Sequence, residues 1–176
     1  MIVKNNPDEF QNYLSDSSNY KGTADAVYLP ETEYELIELV KKFNSDKVKI
    51  TVSGNGTGLT GSRVPEGGVI ISTEKLNNVI ELNEGKKYLR VQPGMILKEL
   101  QDFVETKKLF YPPDPTEKNC FIGATVATNS SGARSFKYGP TRNYVIGIRV
   151  VLPTGDTISI ERGKIFAFSY TFSRNP

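Results

Sequence analysis

The sequence predicts an α+β fold built from two small α/β lobes. Apolar residues alternate in several short segments and recur at helical spacing in two longer ones, and strand and helix patterns alternate along the chain. The 176 residues are 38% hydrophobic and 24% charged, which is typical of an ordinary soluble chain with a buried core. Two stretches of small residues interrupt these elements, and they direct the search for a site.

The predicted organisation has four parts. An N-terminal extension, residues 1–20, precedes a first lobe of residues 21–76. The second lobe covers residues 77–162, and a tail of residues 163–176 follows it. We expect the lobes to meet near residues 72–80, between the last strand pattern of the first lobe and the first of the second.

The first lobe reads as a βαββ unit. The stretch "AVYLP" predicts a strand that ends at Pro30, and Thr32 followed by Glu35 is a capping box that predicts the start of a helix. Further strands are predicted by "KVKITV" and by "GGVIIS". The helix pattern continues at apolar positions that share one face: Leu36, Val40 and Phe43.

The second lobe begins with "NVIEL" and "YLRVQPG", which "NEGK" joins into a predicted hairpin. A second amphipathic helix is predicted to end at Lys107 and Lys108, because cations suit a helix C-terminus. A long irregular stretch is expected next, and then "YVIGIRVVLPTGDTISI" predicts a hairpin that turns at Pro153 to Gly155. The apolar positions of the helix are Ile96, Leu100, Phe103 and Val104.

Composition excludes several functions. The 22 basic and 20 acidic residues are scattered, so nucleic acid is not an expected partner. No histidine is present, which removes Ser-His-Asp and Cys-His chemistry and imidazole metal ligands, and no metal site is expected. With Cys120 as the single cysteine, no internal disulfide can form. We expect a cytoplasmic protein, with attachment to a membrane surface through a partner left open, and a cofactor to carry any reaction.

The glycine-rich stretch "VSGNGTGLTG", residues 52–61, contains the spacing G-x-G-x-x-G directly after a predicted strand. In a Rossmann turn the third glycine opens a helix whose N-terminus receives the phosphates. Here Pro65, Gly67 and Gly68 oppose a helix at that place. No Gly-Lys-Ser/Thr follows either, so both the Rossmann and the Walker interpretations fail.

The remaining interpretation of this stretch is a loop that holds an anion without a helix. Alternating glycines allow positive φ angles, so that successive N–H groups converge on a phosphate, and small hydroxyl groups add donors. The alternative is a mobile turn, but the location of the stretch between two apolar strands disfavours it.

The stretch 111–139 combines stiffening prolines with a run of small residues. Tight packing would also explain that run, but both stretches together predict one dinucleotide-like ligand clamped between the lobes.

The motifs "SGNGTGLTGS", "PPDPTEKNCFIGATVATNSSG" and "KYGPTRNYVIGIRVVLPTGD", in this order, resemble the PCMH-type FAD-binding domain of the vanillyl-alcohol oxidase and p-cresol methylhydroxylase superfamily. Within it, the resemblance is to FAD-linked oxidases and dehydrogenases of D-lactate, glycolate and D-2-hydroxyglutarate, over residues 20–160. The resemblance implies two α/β subdomains that clamp one FAD, not a Rossmann fold. It also implies that the flavin domain continues beyond Pro176 into a substrate domain, so we expect a C-terminally incomplete chain.

By position, the resemblance implies three groups of cofactor-binding residues and no catalytic residue. The FAD pyrophosphate is expected at Ser53, Gly54, Asn55, Gly56, Thr57, Gly58 and Gly61. The adenosine and pyrophosphate side is expected at Asp114 and Pro115. The ribityl chain and flavin ring are expected near Gly123, Ala124, Ala127, Thr128, Ser131 and Gly132. Covalent attachment through histidine is excluded, and the resemblance places Cys120 near a position that some covalent relatives use. Many non-covalent relatives resemble this segment with the same cysteine, so FAD should be dissociable and Cys120 a small buried structural residue.

The implied function is oxidation of a small 2-hydroxy acid by hydride transfer to flavin N5, with electrons passing to a downstream acceptor. These 176 residues alone are expected to be inactive. One alternative is a non-catalytic FAD-binding module that self-associates through an exposed edge, for which Phe166, Phe168, Tyr170 and Phe172 alternate at strand spacing. Another is a flavin reductase that makes cell-wall precursors, of the UDP-N-acetylenolpyruvoylglucosamine reductase type. No role is assigned to Arg63, Arg134 or Lys137.

Overall fold

The structure, a computed structural model, describes residues 1–163. The alternating aromatic residues Phe166 to Phe172, expected to form an edge strand, lie outside the described residues. Within residues 1–163 the predicted mixture of small sheets and helices is present, and the strands and helices that the sequence predicts occur in the predicted order, together with further short elements.

The first lobe is a four-stranded sheet in the order β1-β2-β4-β3. Strands β2 (Ala26–Leu29), β3 (Ile50–Ser53) and β4 (Val69–Ser72) are parallel, and β1 (Ile2–Lys4) pairs antiparallel with β2. β4 is buried along its whole length, as its uninterrupted apolar run predicts for the central strand of a parallel sheet. Helix α1 (Glu33–Ser45) connects β2 with β3.

Helix α1 begins where the sequence predicts it. Thr32 is the N-cap, and its hydroxyl accepts a hydrogen bond from the Glu35 amide at 3.1 Å. The Glu35 carboxylate turns back and accepts from the amide of Glu31 at 2.8 Å, one residue before the cap. Leu39 and Phe43 are buried, and this apolar face packs on the sheet beside Val69.

The first 20 residues form part of the first lobe's sheet and core. Beyond β1, two short 3₁₀ helices, Pro7–Glu9 and Gln11–Tyr13, fold the chain back onto the sheet. They bury the side chains of Phe10, Tyr13 and Leu14 in one cluster with Val27, Leu29 and Ile70. The segment predicted as an N-terminal extension therefore supplies a strand and part of the core, and the sequence boundary at residue 20 stays a prediction.

The second lobe has its own core. Strands β5 (Val79–Asn83) and β6 (Tyr88–Val91) form the predicted hairpin, and helix α2 (Leu97–Thr106) follows it. The buried cluster around α2 contains only second-lobe residues: Met95, Leu97, Leu100, Val104, Cys120 and Ile122. Because its members are all distinct from those of the first-lobe clusters, the described residues have separate cores, as two lobes require.

The stretch expected to be irregular is partly helical, which corrects that expectation. It contains α3 (Ile122–Ala127), α4 (Ser135–Tyr138) and a 3₁₀ turn at Thr141–Tyr144. Ile122 and Thr125, three residues apart, are the buried residues of α3. A helix of six residues contains too few turns for its apolar positions to repeat, so periodicity does not reveal it.

The last hairpin is also formed as predicted, by β7 (Gly147–Val151) and β8 (Thr157–Glu161). It lies beside α1, because Arg149 Nε is 2.7 Å from Glu33 Oε1. A Cβ atom at Gly155 would approach the Lys41 side chain to 2.3 Å. The hairpin assigned to the second lobe thus contacts the helix of the first.

Candidate functional site

The glycine loop, residues 53–61, leaves the first-lobe sheet where parallel strand β3 ends. Ser53 is fully buried and pairs with Ser72 of β4, and the Ser53 carbonyl accepts from the Thr73 amide at 3.1 Å. The residues between β3 and β4 contain no helix, as Pro65, Gly67 and Gly68 predict. The loop therefore stands at the carboxyl edge of parallel strands, where α/β sheets commonly bind ligands, but without a Rossmann helix.

Carbonyl groups of the loop are bound from one side. Gly54 O accepts from Arg63 Nη1 at 2.8 Å, and Gly56 O accepts from the amide and the hydroxyl of Ser17 at 3.1 and 3.2 Å. The described residues contain no cis peptide bond, and in a trans peptide the N–H points away from the C=O. The amides of Asn55 and Thr57 consequently face the side opposite Arg63 and Ser17.

Unpaired amides make the loop suitable for an anion. Within residues 1–163 the consecutive backbone N–H groups of residues 55–60 donate no hydrogen bond. Gly56 and Gly61 have φ angles of +74° and +71°, in the left-handed region that lets neighbouring amides converge. Unsatisfied, converging donors and the absence of Cβ atoms at alternate positions fit a pyrophosphate.

The structure brings the glycine loop against the small-residue stretch of the second lobe. Asn55 Nδ2 donates to the carbonyl oxygen of Asn119 at 2.8 Å. A Cβ atom at Gly54 would stand 3.3 Å from the Cβ of Ala124. The two stretches singled out from the sequence, whose contacting residues Gly54 and Ala124 are seventy positions apart, therefore meet in the fold.

The residues of the expected adenosine side, Asp114 and Pro115, contact the backbone of Gly132, which belongs to the expected flavin side. Pro115 and Gly132 form an isolated antiparallel bridge, and a Cβ at Gly132 would fall 1.9 Å from the Asp114 carbonyl oxygen. The Asp114 carboxylate is paired with the ammonium of Lys118 and lies 3.3 Å from Arg134 Nε. Gly132 is thus required by close backbone approach, and the charge of Asp114 is neutralised within the protein.

The expected flavin side divides into packed and accessible residues. Gly123 packs on Pro93, since its amide donates to Pro93 O at 2.8 Å and a Cβ would lie 2.6 Å from that ring. Thr128 Oγ1 donates to Ala124 O at 2.9 Å. The exposed members of the group, which remain open to a ligand, are Ala127, Thr128 and Ser131.

Arg63 and Asp16 are charged groups beside the loop. The sequence places Arg63 near the cofactor stretches without assigning it a role, and it does not mark Asp16 as a candidate. The Arg63 side chain is partly buried beneath Gly56. Burial acts to raise the pKa of Asp16, but hydrogen bonds from Ser18 and Gly61 and the charge of Arg63 outweigh it and lower that pKa. No spacing rule marks Arg63, because its acceptors lie about ten and fifty residues away. Asp16 bonds locally to Ser18, but its hydrogen bond from Gly61 depends on the fold.

An open cavity of about 620 Å³ borders the end of the glycine loop at Thr60 and Gly61. Its other walls include Tyr20 of the N-terminal segment and Val64 of the first lobe, and neither Gly54 nor Ala124 lines it. It is therefore an extension of the loop surface, separate from the contact between Gly54 and Ala124.

Other kinds of site find no support among the described residues. No group of three or more His, Cys, Asp or Glu side chains is placed to hold a metal ion within residues 1–163. In the same range no helix is long and apolar enough to cross a bilayer.

A glycine loop with unpaired amides at the end of parallel strands, in contact with a stretch of small residues, is typical of the class of domains that bind a nucleotide cofactor. Comparison with known families agrees with this class. The chain belongs to the FAD binding domain family, whose model matches residues 24–161. FAD is accordingly the cofactor of this domain, and the unpaired amides of the loop fit its pyrophosphate.

The relatives of the chain include enzymes that are named for glycolate, D-lactate and D-2-hydroxyglutarate. The chain is 40% identical over 141 residues to glycolate oxidase subunit GlcD of Bacillus subtilis, covering 79% of this chain and 30% of that protein. It is 42% identical over 127 residues to D-lactate dehydrogenase of Anaerostipes hadrus, covering 72% and 27%. A D-2-hydroxyglutarate dehydrogenase of Stutzerimonas stutzeri is 34% identical over 142 residues, covering 80% and 31%. The chain thus spans less than a third of the length of these relatives.

Solved structures confirm the fold. An alkyldihydroxyacetonephosphate synthase superposes with a TM-score of 0.84 at 23% identity, over 94% of this chain and 33% of that one. A 6-hydroxy-D-nicotine oxidase from Arthrobacter nicotinovorans superposes with a TM-score of 0.80 at 16% identity, over 91% and 35%. The predicted PCMH-type architecture of two small subdomains is therefore confirmed.

Proposed function

We propose that this chain is the cofactor-binding part of a flavin-dependent oxidoreductase that oxidises a small 2-hydroxy acid, such as D-lactate or glycolate. The observation that carries the proposal is the meeting of the glycine loop with the stretch around Ala124, through Gly54 and the Asn55–Asn119 hydrogen bond. The identity of 34 to 42% to enzymes named for glycolate, D-lactate and D-2-hydroxyglutarate supports the substrate class.

In this proposal the glycine loop, Ser53 to Gly58 and Gly61, binds the FAD pyrophosphate, and the unpaired backbone amides of residues 55–60 are the donors. Asp114 and Pro115 lie along the adenosine and pyrophosphate side. The ribityl chain and the ring lie against small residues, since these permit a flat group to approach the backbone: Gly123, Ala124, Ala127, Thr128, Ser131 and Gly132. FAD supplies hydride acceptance at N5, and this chain's residues bind and orient it.

We propose that FAD is held without a covalent bond. The chain contains no histidine to attach the ring. Cys120 is buried against α2, and burial raises the pKa of its thiol, so the nucleophilic thiolate is disfavoured. A buried, protonated thiol supports a structural role for this residue.

The electron acceptor and the surroundings complete the proposal. We propose that the bound FAD would pass its electrons to a downstream acceptor. We also propose a cytoplasmic location, because the single cysteine is a free thiol. We propose that the lobes comprise residues 21–76 and 77–162, and that the last hairpin of the second lobe contacts helix α1 of the first.

An absorption spectrum of the purified chain, before and after addition of FAD and desalting, tests the proposal. We expect a flavin spectrum that survives desalting and is released on denaturation. Asn55→Asp should weaken FAD binding at least about tenfold, because it places a carboxylate beside the pyrophosphate and opposite the Asn119 carbonyl.

Asn5→Asp is the matched control for the Asn55 variant. Asn5 is exposed and makes no side-chain hydrogen bond within residues 1–163, so the same charge there should leave FAD affinity unchanged. A folded chain that takes up no flavin, or equal affinities of the two variants, contradicts this assignment of the site. Turnover of D-lactate or glycolate with a dye acceptor by a longer chain carrying these residues tests the substrate class.

A further inference from the structure

Arg63 makes an unusual number of contacts for a residue of an exposed loop region. Its guanidinium donates to the carbonyl oxygen of Ser15 at 2.9 and 2.6 Å and to the carbonyl oxygen of Asn12. On its other side it donates to Ser53 Oγ at 3.1 Å and to Gly54 O at 2.8 Å. We call Arg63 with these acceptors the Arg63 clamp.

The Arg63 clamp ties the N-terminal segment to the start of the glycine loop. The guanidinium is planar and carries donors in a fixed fork, so binding several acceptors at once fixes their relative positions. Here it fixes residues 12 and 15, which are anchored in the core by Tyr13 and Leu14, against residues 53 and 54. The loop is thereby attached to a rigid support.

The orientation of the loop peptides follows from the same contacts. Because Gly54 O points at Arg63, the Asn55 amide points to the opposite side, where the loop faces Asn119 and the second lobe. The Ser17 amide and hydroxyl hold Gly56 O in the same sense. A free loop would sample conformers with carbonyl oxygens turned toward the anion, which repel it.

We propose that Arg63 is a positioning residue of the cofactor site, which holds the glycine loop in its anion-binding conformation before FAD arrives, without itself contacting the pyrophosphate. The inference rests on the proposed function of the loop. The guanidinium is used by protein acceptors on both edges and is covered by Gly56, where a Cβ atom would lie 2.4 Å from Arg63 Cζ. The N-terminal segment thus becomes part of the site through Arg63.

Two substitutions separate the fork from the charge. Arg63→Lys keeps the charge but cannot reach acceptors on both sides with one ammonium, and Arg63→Met removes charge and fork. If either leaves the competent loop conformation in a tenth of the molecules, the Kd for FAD rises about tenfold. We expect both variants to lose about tenfold or more, whereas Arg90→Lys and Arg90→Met, at an exposed position of β6, should bind FAD like the parent chain.

The rigidity of the glycine loop in the FAD-free chain distinguishes a positioning role of Arg63 from a general loss of stability. ¹⁵N relaxation of the amides of residues 55–60 in the FAD-free chain should show a rigid loop in the parent and increased fast motion in both Arg63 variants, with other amides unchanged. Retained affinity in Arg63→Lys with loss only in Arg63→Met would show that charge alone matters, and would overturn the inference. An equally rigid loop in all variants would overturn it as well.

The parent chain also tests the inference without mutation, should the variants fail to fold. A guanidinium bound on both edges rotates slowly, so its terminal nitrogens should give separate ¹⁵N resonances in the FAD-free protein. Averaged Arg63 resonances would overturn the clamp. If the folded parent binds no FAD while the clamp and the rigid loop are both observed, the proposed function fails and the positioning of the loop by Arg63 stands.

Discussion

Gly56→Ala should lower the free energy of unfolding and the affinity for FAD more than Gly67→Ala does. Both glycines have positive φ angles, +74° at Gly56 and +81° at Gly67, so alanine at either position costs about 1–2 kcal/mol in backbone conformation. The surroundings differ. A Cβ at Gly56 would lie 2.4 Å from Arg63 Cζ, whereas nothing lies within 4 Å of a Cβ at Gly67.

The additional cost at Gly56 comes from displacing the guanidinium. The Cβ would crowd Nη2 and Nε of Arg63, so relief of the contact must cost at least one of the bonds that these atoms donate to Ser15 O and Asn12 O. A hydrogen bond that involves a charged group contributes about 1.5–3 kcal/mol. We therefore expect the free energy of unfolding to fall by about 3–5 kcal/mol in Gly56→Ala and by about 1–2 kcal/mol in Gly67→Ala.

Urea denaturation of both variants measures this difference, and titration with FAD measures its consequence for the site. We expect Gly56→Ala to bind FAD more weakly and Gly67→Ala to bind it like the parent chain, because only the former changes the peptides that hold the anion. Equal losses of stability in the two variants, together with unchanged FAD affinity, would refute the reasoning that links Gly56, Arg63 and the loop.

Two further predictions concern the second lobe. Leu97 is fully buried, so Leu97→Ala should lower the free energy of unfolding by about 2–5 kcal/mol in urea denaturation, whereas Ile80→Ala, at a side chain 55% exposed, should change it by about 0.5 kcal/mol or less. Burial raises the pKa of Tyr111 from its ordinary value of 10.0 to about 12. The folded state therefore holds a proton there that the unfolded state has lost, and stability should fall as pH rises through this window. Denaturation of Tyr111→Phe below and above the window should show a smaller fall, and an identical pH dependence would contradict this assignment.

Much of the fold follows from local patterns that are legible in the chain. Thr32 and Glu35 mark the start of α1 because a cap involves only neighbouring residues. Pro65, Gly67 and Gly68 exclude a helix after the glycine loop, and the structure has none there. Helix α3 was missed since its six residues provide too little repetition.

The candidate site shows the same division between local and distant causes. The glycine spacing and the run of small residues were visible in the sequence, since backbone freedom and small volume belong to the residues themselves. Gly123 and Gly132, however, are glycines because Pro93 and Asp114 approach them, which no local pattern reveals.

By itself, the sequence indicated most of the strands and helices in their order, the absence of a Rossmann helix, and the two stretches that are expected to bind FAD. Only the tertiary structure decided that residues 1–20 enter the first-lobe core, that Asn55 reaches Asn119, and that Arg63 supports the loop. The physical reason is the distance along the sequence between residues that interact. Caps, turns and backbone freedom depend on adjacent residues, whereas the partners of Arg63 lie about ten and fifty residues away and meet it only when the sheet has formed.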